Sequence, residues 1–523
     1  MRKFRVARQR PSLPSIPSRQ ALSVWRADFT ASLVVFLVAV PLCVGVAVAS
    51  GVPAELGLVT GIVGGLLTGL LPGSSLQVSG PAAGLTVLVY EAVQEYGLGA
   101  LGALVLLAGA LQLAMGALRL GRWFRAISVA VVQGMLAGIG LVLIAGQLYA
   151  LVDARPPGNG PANLGGLPNL AADTAGSGTA LAALAVGAGT IALLVLWPKW
   201  QRGARVLPAP LVAVALATVA VFVLDLPVAR VEVAGLLEVI QPPGGADFAQ
   251  LTEAGAVVGA LGTVLAFALI ASAESLFSAA AVDRLHDGPK TDYDKELMAQ
   301  GVGNTVCGLL GALPMTAVIV RSAANVHAGA RTKASRVLHG VWLLVFAAAF
   351  PAALGVVPLA ALAGVLVHAG VKLIPVKQWR PLWREHRGEA VVLAATAVAI
   401  VATNMFEGVL LGLLMAVAKS AWETSHVHLE IVGLDEPAAG HGEPAGPGPR
   451  RPIRVRALGN ATFLRLPKLL DQLEALPKDR EVVLDLTGLR HLDHACAAAL
   501  GAWEEQRRGP GGTARQEAPS VAP

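Results

Sequence analysis

The 523-residue chain is 55% hydrophobic and only 14% charged, with 59 glycines and a net charge of +6. Soluble proteins carry about 25% charged residues, so lipid rather than water surrounds most of this chain. Its basic residues sit in short loops between apolar runs, which marks membrane orientation and sets aside nucleic acid as a partner.

Residues 1–26 hold seven basic side chains among Pro and Ser, without an apolar core or cleavage site. They read as a retained cytoplasmic arm. Apolar runs measured against the ~20 residues of a spanning helix then give fourteen segments within residues 27–424. A first repeat (27–225) holds Phe29–Ser50, Glu55–Leu71, Pro81–Glu95, Leu98–Leu118, Ala126–Val152, Thr179–Leu196 and Pro208–Leu224. A second (256–424) holds Ala256–Val282, Glu296–Leu313, Arg321–Gly329, Arg336–Phe350, Ala352–Ile374, Ala390–Asn404 and Gly408–Trp422. The third and tenth are short and share a rank in each set of seven; an odd count inverts the second set, giving a 7+7 inverted repeat. Loop charges agree. Arg119, Arg122, Lys199, Arg284, Lys290, Lys377, Arg380 and Arg384 all fall on one side, and the long opposite loops offer only Arg155 and Arg230. Both termini are expected in the cytoplasm, with the protein integral to the plasma (inner) membrane.

The third segment is preceded by Leu76–Gly84, an extended piece that ends at Gly80, with Pro81 at a favoured first helical position and Ala82 and Ala83 following. The tenth repeats the design: Met315–Val320 reads as extended and a helix opens near Arg321 and Ser322. Paired broken helices point to a substrate site. A buried arginine costs at least ~2.5 kcal/mol at the bilayer centre, so Arg321 should face a polar cavity, where helix starts add partial positive charge. These residues are the expected anion site.

In the eighth segment, Glu274 and Ser278 are one turn apart and share a helix face. An intramembrane carboxylate is a functional-site hypothesis by default. Glu274 can carry a proton, or its ionised form can ligate Na⁺ with the Ser278 hydroxyl. Thr316 is grouped with them as a coupling-ion residue, and the alternative reading is a structural Glu274–Arg321 ion pair. Pro41 and Leu42 interrupt the first segment, either as a packing kink or as a substrate-facing feature.

After Trp422 the composition changes. Strands are expected at His428–Leu434, Ile453–Leu458 and Glu481–Leu486, and helices at Phe463–Leu476 and Leu492–Gln506. Glu436–Arg451 reads as a disordered linker and 509–523 as a disordered tail, leaving 425–508 as a small α/β cytoplasmic domain. Cys43, Cys307 and Cys496 are far apart and read as packing residues. The histidines show no ligand spacing, and no nucleophile–base pair or phosphate-binding loop occurs. The sequence therefore gives an enzyme nothing to work with and implies no cofactor beyond a coupling Na⁺.

With Gln77-Val-Ser-Gly-Pro-Ala-Ala-Gly84, Ala273-Glu-Ser-Leu-Phe-Ser278, Gln300-Gly-Val-Gly-Asn304, Pro314–Asn325 and Ala328-Gly-Ala-Arg-Thr332 in order, the chain resembles the SulP (sulfate permease) family, relatives of the prestin/pendrin-type exchangers. The resemblance implies a core of segments 1–4 and 8–11 moving as an elevator against a gate of segments 5–7 and 12–14. It also implies an anion held between the starts of segments 3 and 10, and a homodimer with STAS domains. Pro41-Leu42 resembles the cyanobacterial sodium-dependent bicarbonate transporters, which carry aspartate where this chain has Glu274. The STAS-like region is expected to lack the last strands, and no Ser or Thr stands at His494 or Ala495, where related domains are phosphorylated. The expectation is a secondary active transporter of a small inorganic anion, bicarbonate first, coupled to Na⁺ or H⁺. Sulfate or a small dicarboxylate is the alternative substrate; an uncoupled channel or a membrane sensor is the rival class.

Overall fold

A computed structural model describes residues 18–126, 128–200, 207–253, 256–432, 452–477, 480–507 and 514–517. Two compact units divide the chain, 1–413 and 414–523. In the first, six described helices are long and apolar enough to cross a membrane: Leu22–Ala49, Ala83–Ala117, Val129–Ala150, Gly178–Lys199, Ala256–Val282 and Leu359–Glu385. Ala54–Thr68, Ala209–Val223 and Ala334–Ala349 are shorter apolar helices.

In chain order, α1 (Ser18–Ala49) is followed by α2 (Ala54–Val63), which runs into a π turn at Gly64–Thr68. Next come β1 (Ser79–Pro81), α3 (Thr86–Ala117) and α4 (Val129–Ala150). The following loop holds two short helices, α5 (Gly160–Gly165) and α6 (Leu167–Ala175), before α7 (Gly178–Leu196), α8 (Ala209–Val223) and α9 (Gly245–Leu251). Then α10 (Ala256–Val282), α11 (Tyr293–Leu309), β2 (Met315–Ala317), α12 (Ile319–His327) and α13 (Ala334–Ala349) follow. Finally there are α14 (Leu359–Leu373), α15 (Val376–Glu385), α16 (Arg387–Ala402) and α17 (Met405–Thr424), within which the unit boundary falls.

Several local expectations are corrected. α1 begins at Ser18, so the last part of the expected arm is helical, and it runs through Pro41 without interruption. The rest of that arm, 1–17, lies outside the described residues. Segments three and four are two helices that follow one another within α3, parted at Gly97, whose φ 79° and ψ 166° are not helical, as the expected segment bounds place the break. That conformation suits glycine alone among common residues, so the helix breaks there with no intervening loop. Pro81 ends a strand and is not a helix N1 residue, and α12 opens at Ile319, two residues before Arg321.

Small residues bring the central helices together. A Cβ on Gly109 or Gly301 would strike backbone of the facing helix, as it would on Gly308, so α3 and α11 pack backbone against backbone. A core of Leu101, Leu104, Val105, Phe267, Leu297 and Cys307 surrounds that seam.

The second unit holds β3 (Val427–Val432), β4 (Ile453–Ala461), α18 (Leu466–Glu474), β5 (Val482–Asp485), β6 (Leu489–Leu492), α19 (His494–Arg507) and β7 (Ala514–Glu517). The sheet order is β3-β4-β5-β7, with β6 also on β4; β3 is antiparallel to β4 and the other pairs are parallel. Alternation along β4 turns Ile453, Val455 and Ala457 inward and Arg454 and Arg456 outward. The inward set packs on Leu469, Leu473, Cys496 and Leu500 of the helices. The expected linker lies outside the described residues. β7 corrects the expectation of a structureless tail: its sequence, Ala-Arg-Gln-Glu, lacks apolar alternation, and its order comes from pairing with β5.

Asp493 caps α19 by accepting the Cys496 N–H at 2.8 Å. Burial, and then this carboxylate, push the Cys496 thiol up to about 12. The thiolate is the reactive form, so native protein at pH 8 is expected to resist iodoacetamide at Cys496, with alkylation appearing only on denaturation. Rapid labelling of native protein would show that α19 does not pack as described.

Candidate functional site

β1 and β2 cross antiparallel, pairing Ser79 with Ala317, Gly80 with Thr316 and Pro81 with Met315, and all six residues are buried. Each strand runs into a helix start: β1 into a 3-10 turn (Ala83–Leu85) and α3, β2 into α12. None of these starts is capped by a side chain, so first-turn N–H groups remain available beside the crossing.

Arg321, in the first turn of α12, is wholly buried. Its Nη2 donates to the Pro81 carbonyl at 3.4 Å, while Nε and Nη1 have no hydrogen-bond partner among the described residues. The guanidinium lies so close over Gly80 that a Cβ there would collide with Nη1. The Cys43 thiol rests against it, and His339 of α13 lies nearby with both ring nitrogens unpartnered. Leaving charged donors buried and unpaired is costly, and an anion is the group that would satisfy them.

Glu274 of α10 is half-buried on the other side of the same loop. A Cβ on Gly84 would sit 2.9 Å from its Oε2 and 3.1 Å from Oε1. Thr316 faces the carboxylate, and neither Oε2 nor the Thr316 hydroxyl has a hydrogen-bond partner of good geometry. Among the described residues Glu274 and Arg321 form no ion pair, so the structural-pair reading fails here. Arg321 thus lies against Gly80 and Glu274 against Gly84, on the stretch that leads into α3.

The other expected site residues divide. Ala82 is buried and Ala83 half-buried beside the start of α3, while Val320 is exposed at the start of α12. Ser322 is buried with its hydroxyl engaged: its Oγ accepts the Val78 N–H at 2.9 Å and donates to the Val318 carbonyl at 2.8 Å, so it ties the strand down. Pro41 and Leu42 are buried in α1, and it is their neighbour Cys43 that touches the guanidinium. Ser278 is buried one turn from Glu274. The serine that builds the site is Ser275, whose Oγ accepts the Ala317 N–H at 3.1 Å and whose carbonyl accepts Gln77 Nε2 at 2.7 Å.

Amides within the motif stretches, given no individual role from the sequence, frame the crossing. Asn304 Oδ1 accepts the Met315 N–H at 2.7 Å, and its Nδ2 donates to the Met315 carbonyl at 3.1 Å and to Gln112 Oε1 at 2.7 Å. The side chain thus acts as a further strand for β2. Gln300 Nε2 donates to Ser79 Oγ and to Glu296 Oε1, both at 2.8 Å, and Asn325 Nδ2 donates to the Leu76 carbonyl at 2.9 Å. Polar residues inside apolar sequence were the available signal. Asn304→Ala is expected to cost about 2–4 kcal/mol, since it orphans both Met315 groups and Gln112. A lowered Tm of the detergent-purified protein checks this; a variant as stable as wild type would remove Asn304 from the frame.

A cleft of about 690 Å³ lined by Gly45, Tyr90, Gln147, Asp153, Arg155 and Leu362 opens where α1 ends. A smaller cavity shares Tyr90 and Gln147 and reaches Thr86 and Val87, at the start of α3.

Residues 25–396 match the Sulfate permease family, and residues 448–519 match the Mlab, STAS domain. The chain is 28% identical to a bicarbonate transporter, BicA, of Picosynechococcus sp. over 69% of this chain and 63% of that one. It is 30% identical to the BicA of Synechocystis sp. over 66% and 60% of the two chains. It therefore spans less than two thirds of the length of either. A putative sulfate transporter of Bacillus subtilis, YvdB, is 28% identical over 76% of this chain and 73% of its own. The solved transmembrane domain of a cyanobacterial BicA aligns with a TM-score of 0.64 at 24% identity, covering 75% of this chain and 97% of that one. The inward-facing murine Slc26a9 anion transporter aligns at 0.74 and 15% identity, covering 98% and 90%.

Proposed function

Because this chain belongs to the sulfate permease family, we propose that it is a secondary active transporter of a small inorganic anion, bicarbonate first, coupled to Na⁺ or H⁺. It is an integral membrane protein of helical transporter fold with a C-terminal STAS domain, and its named relatives are transporters, not enzymes. In this reading fourteen segments form a 7+7 inverted repeat, with both termini cytoplasmic and the protein a homodimer in the plasma membrane. A core carrying β1, α3, β2 and α12 moves as an elevator past a gate that includes α4 and α14.

The observation that carries the reading is Arg321: fully buried, with two unpartnered nitrogens, at the crossing of two strands that each feed an uncapped helix start. Uncapped starts each add about half a positive charge. Together they form an electropositive site held by one formal charge, suited to an anion that must also leave. Glu274, beside the same loop, supplies the place for a coupling cation or proton. Pro41-Leu42 and the two bicarbonate-transporting relatives favour bicarbonate; the relative named as a putative sulfate transporter favours sulfate.

Uptake of labelled bicarbonate, sulfate and fumarate into proteoliposomes, with and without Na⁺ and pH gradients, tests the proposal. Accumulation of bicarbonate driven by one of the gradients is expected. Flux that follows voltage alone would select a channel, and binding without flux a sensor.

A further inference from the structure

The ten-residue helix α15, Val-Lys-Gln-Trp-Arg-Pro-Leu-Trp-Arg-Glu, has no buried residue. It follows directly on α14, from which Ile374 and Pro375 separate it. Trp379 and Trp383 stack with ring centroids 6.0 Å apart, yet both remain exposed, at 37% and 46%, and Val376 is 68% exposed. On a helix of about 3.6 residues per turn, these three share one stripe, and Lys377, Arg380 and Arg384 form the stripe beside it. Gln378 points the other way and is hydrogen-bonded by Gln133 of α4. The helix is thus pinned along one edge and presents an aromatic stripe and a cationic stripe outward. Among the described residues Lys377, Arg380 and Arg384 form no ion pair. Pro381 inside the helix leaves the Lys377 carbonyl without its usual N–H partner, a group that water at the membrane surface can satisfy.

We propose that α15 lies in the plane of the membrane as an anchor, with Trp379 and Trp383 at the headgroup–acyl boundary and Lys377, Arg380 and Arg384 on the phosphates of anionic phospholipids. Tryptophan is amphipathic and settles at that boundary, and a helix with an apolar edge and a basic edge binds anionic lipid surfaces. The charge complementarity is one-sided, since Glu385 is the only acid in the helix. Because α15 joins α14 to α16, such an anchor would hold these helices at a fixed depth while other parts of the protein move.

The test uses the full chain carrying Val376→Cys with a nitroxide on that cysteine; native Cys43, Cys307 and Cys496 are buried. In vesicles of phosphatidylcholine with phosphatidylglycerol, depth measurements should place the label at the headgroup–acyl boundary. The triple variant K377Q/R380Q/R384Q should lose preferential retention of phosphatidylglycerol over phosphatidylcholine by on the order of 100-fold, three cations each favouring anionic lipid several-fold. Trp379→Ala with Trp383→Ala should move the label toward water while retention falls less. Equal retention by the triple variant and wild type would overturn the proposal. So would a label in bulk water in both lipid mixtures, or one shielded equally in lipid-free detergent, which would mean that protein covers this face.

Discussion

Arg321→Ala is expected to abolish anion uptake while leaving the protein at least as heat-stable as wild type. Removing a structural arginine would do the reverse. The side chain spends one hydrogen bond on Pro81 and leaves Nε and Nη1 unpaired inside the protein, so the empty site holds a desolvated charge without compensation. Truncation relieves that cost. It also takes away the charged donors for the anion, and losing one member of a buried charged pair costs about 2–5 kcal/mol, or roughly 30- to 4,000-fold in affinity. Uptake assays on proteoliposomes, paired with thermal unfolding in detergent, read both effects. A variant that transports normally, or one that fails only because its Tm has dropped, would remove Arg321 from anion binding. Arg321→Lys keeps the charge but not the planar fork, so it should retain part of the uptake with weakened anion affinity.

Glu274→Gln is expected to uncouple the transporter. The substitution keeps size and shape, so the contacts with Gly84 and Thr316 persist, while the charge that would hold a cation or proton is gone. Glu274 and Arg321 flank one loop without bridging each other, so a cation at the first and an anion at the second would each favour the other's binding. Linkage makes that coupling reciprocal. Concentrative uptake should therefore fall at least tenfold, about 1.4 kcal/mol of lost coupling, while downhill exchange of labelled for unlabelled anion continues. Running the assay under Na⁺ and pH gradients separately identifies the driving ion. Wild-type accumulation by the variant would assign Glu274 to packing alone.

The sequence by itself determined the membrane class, the two interrupted segments, and the two ionisable residues worth explaining. Each follows from a local rule: a charge or a strand-like break inside an apolar run is improbable unless something compensates it. Hydropathy averages over neighbours in the chain, however, and carries no information about partners far away. Gln300 meets Ser79 across 221 positions and Asn325 meets Leu76 across 249. Only the tertiary structure decided that Ser275 supports β2, and that the Ser322 hydroxyl holds Val78. It also decided that Gly97 joins the third and fourth segments without a loop, and that Ala514–Glu517 becomes a strand because β5 offers an edge. A buried polar group must find a partner, and which partner it finds is fixed by the packing that brings distant segments into register.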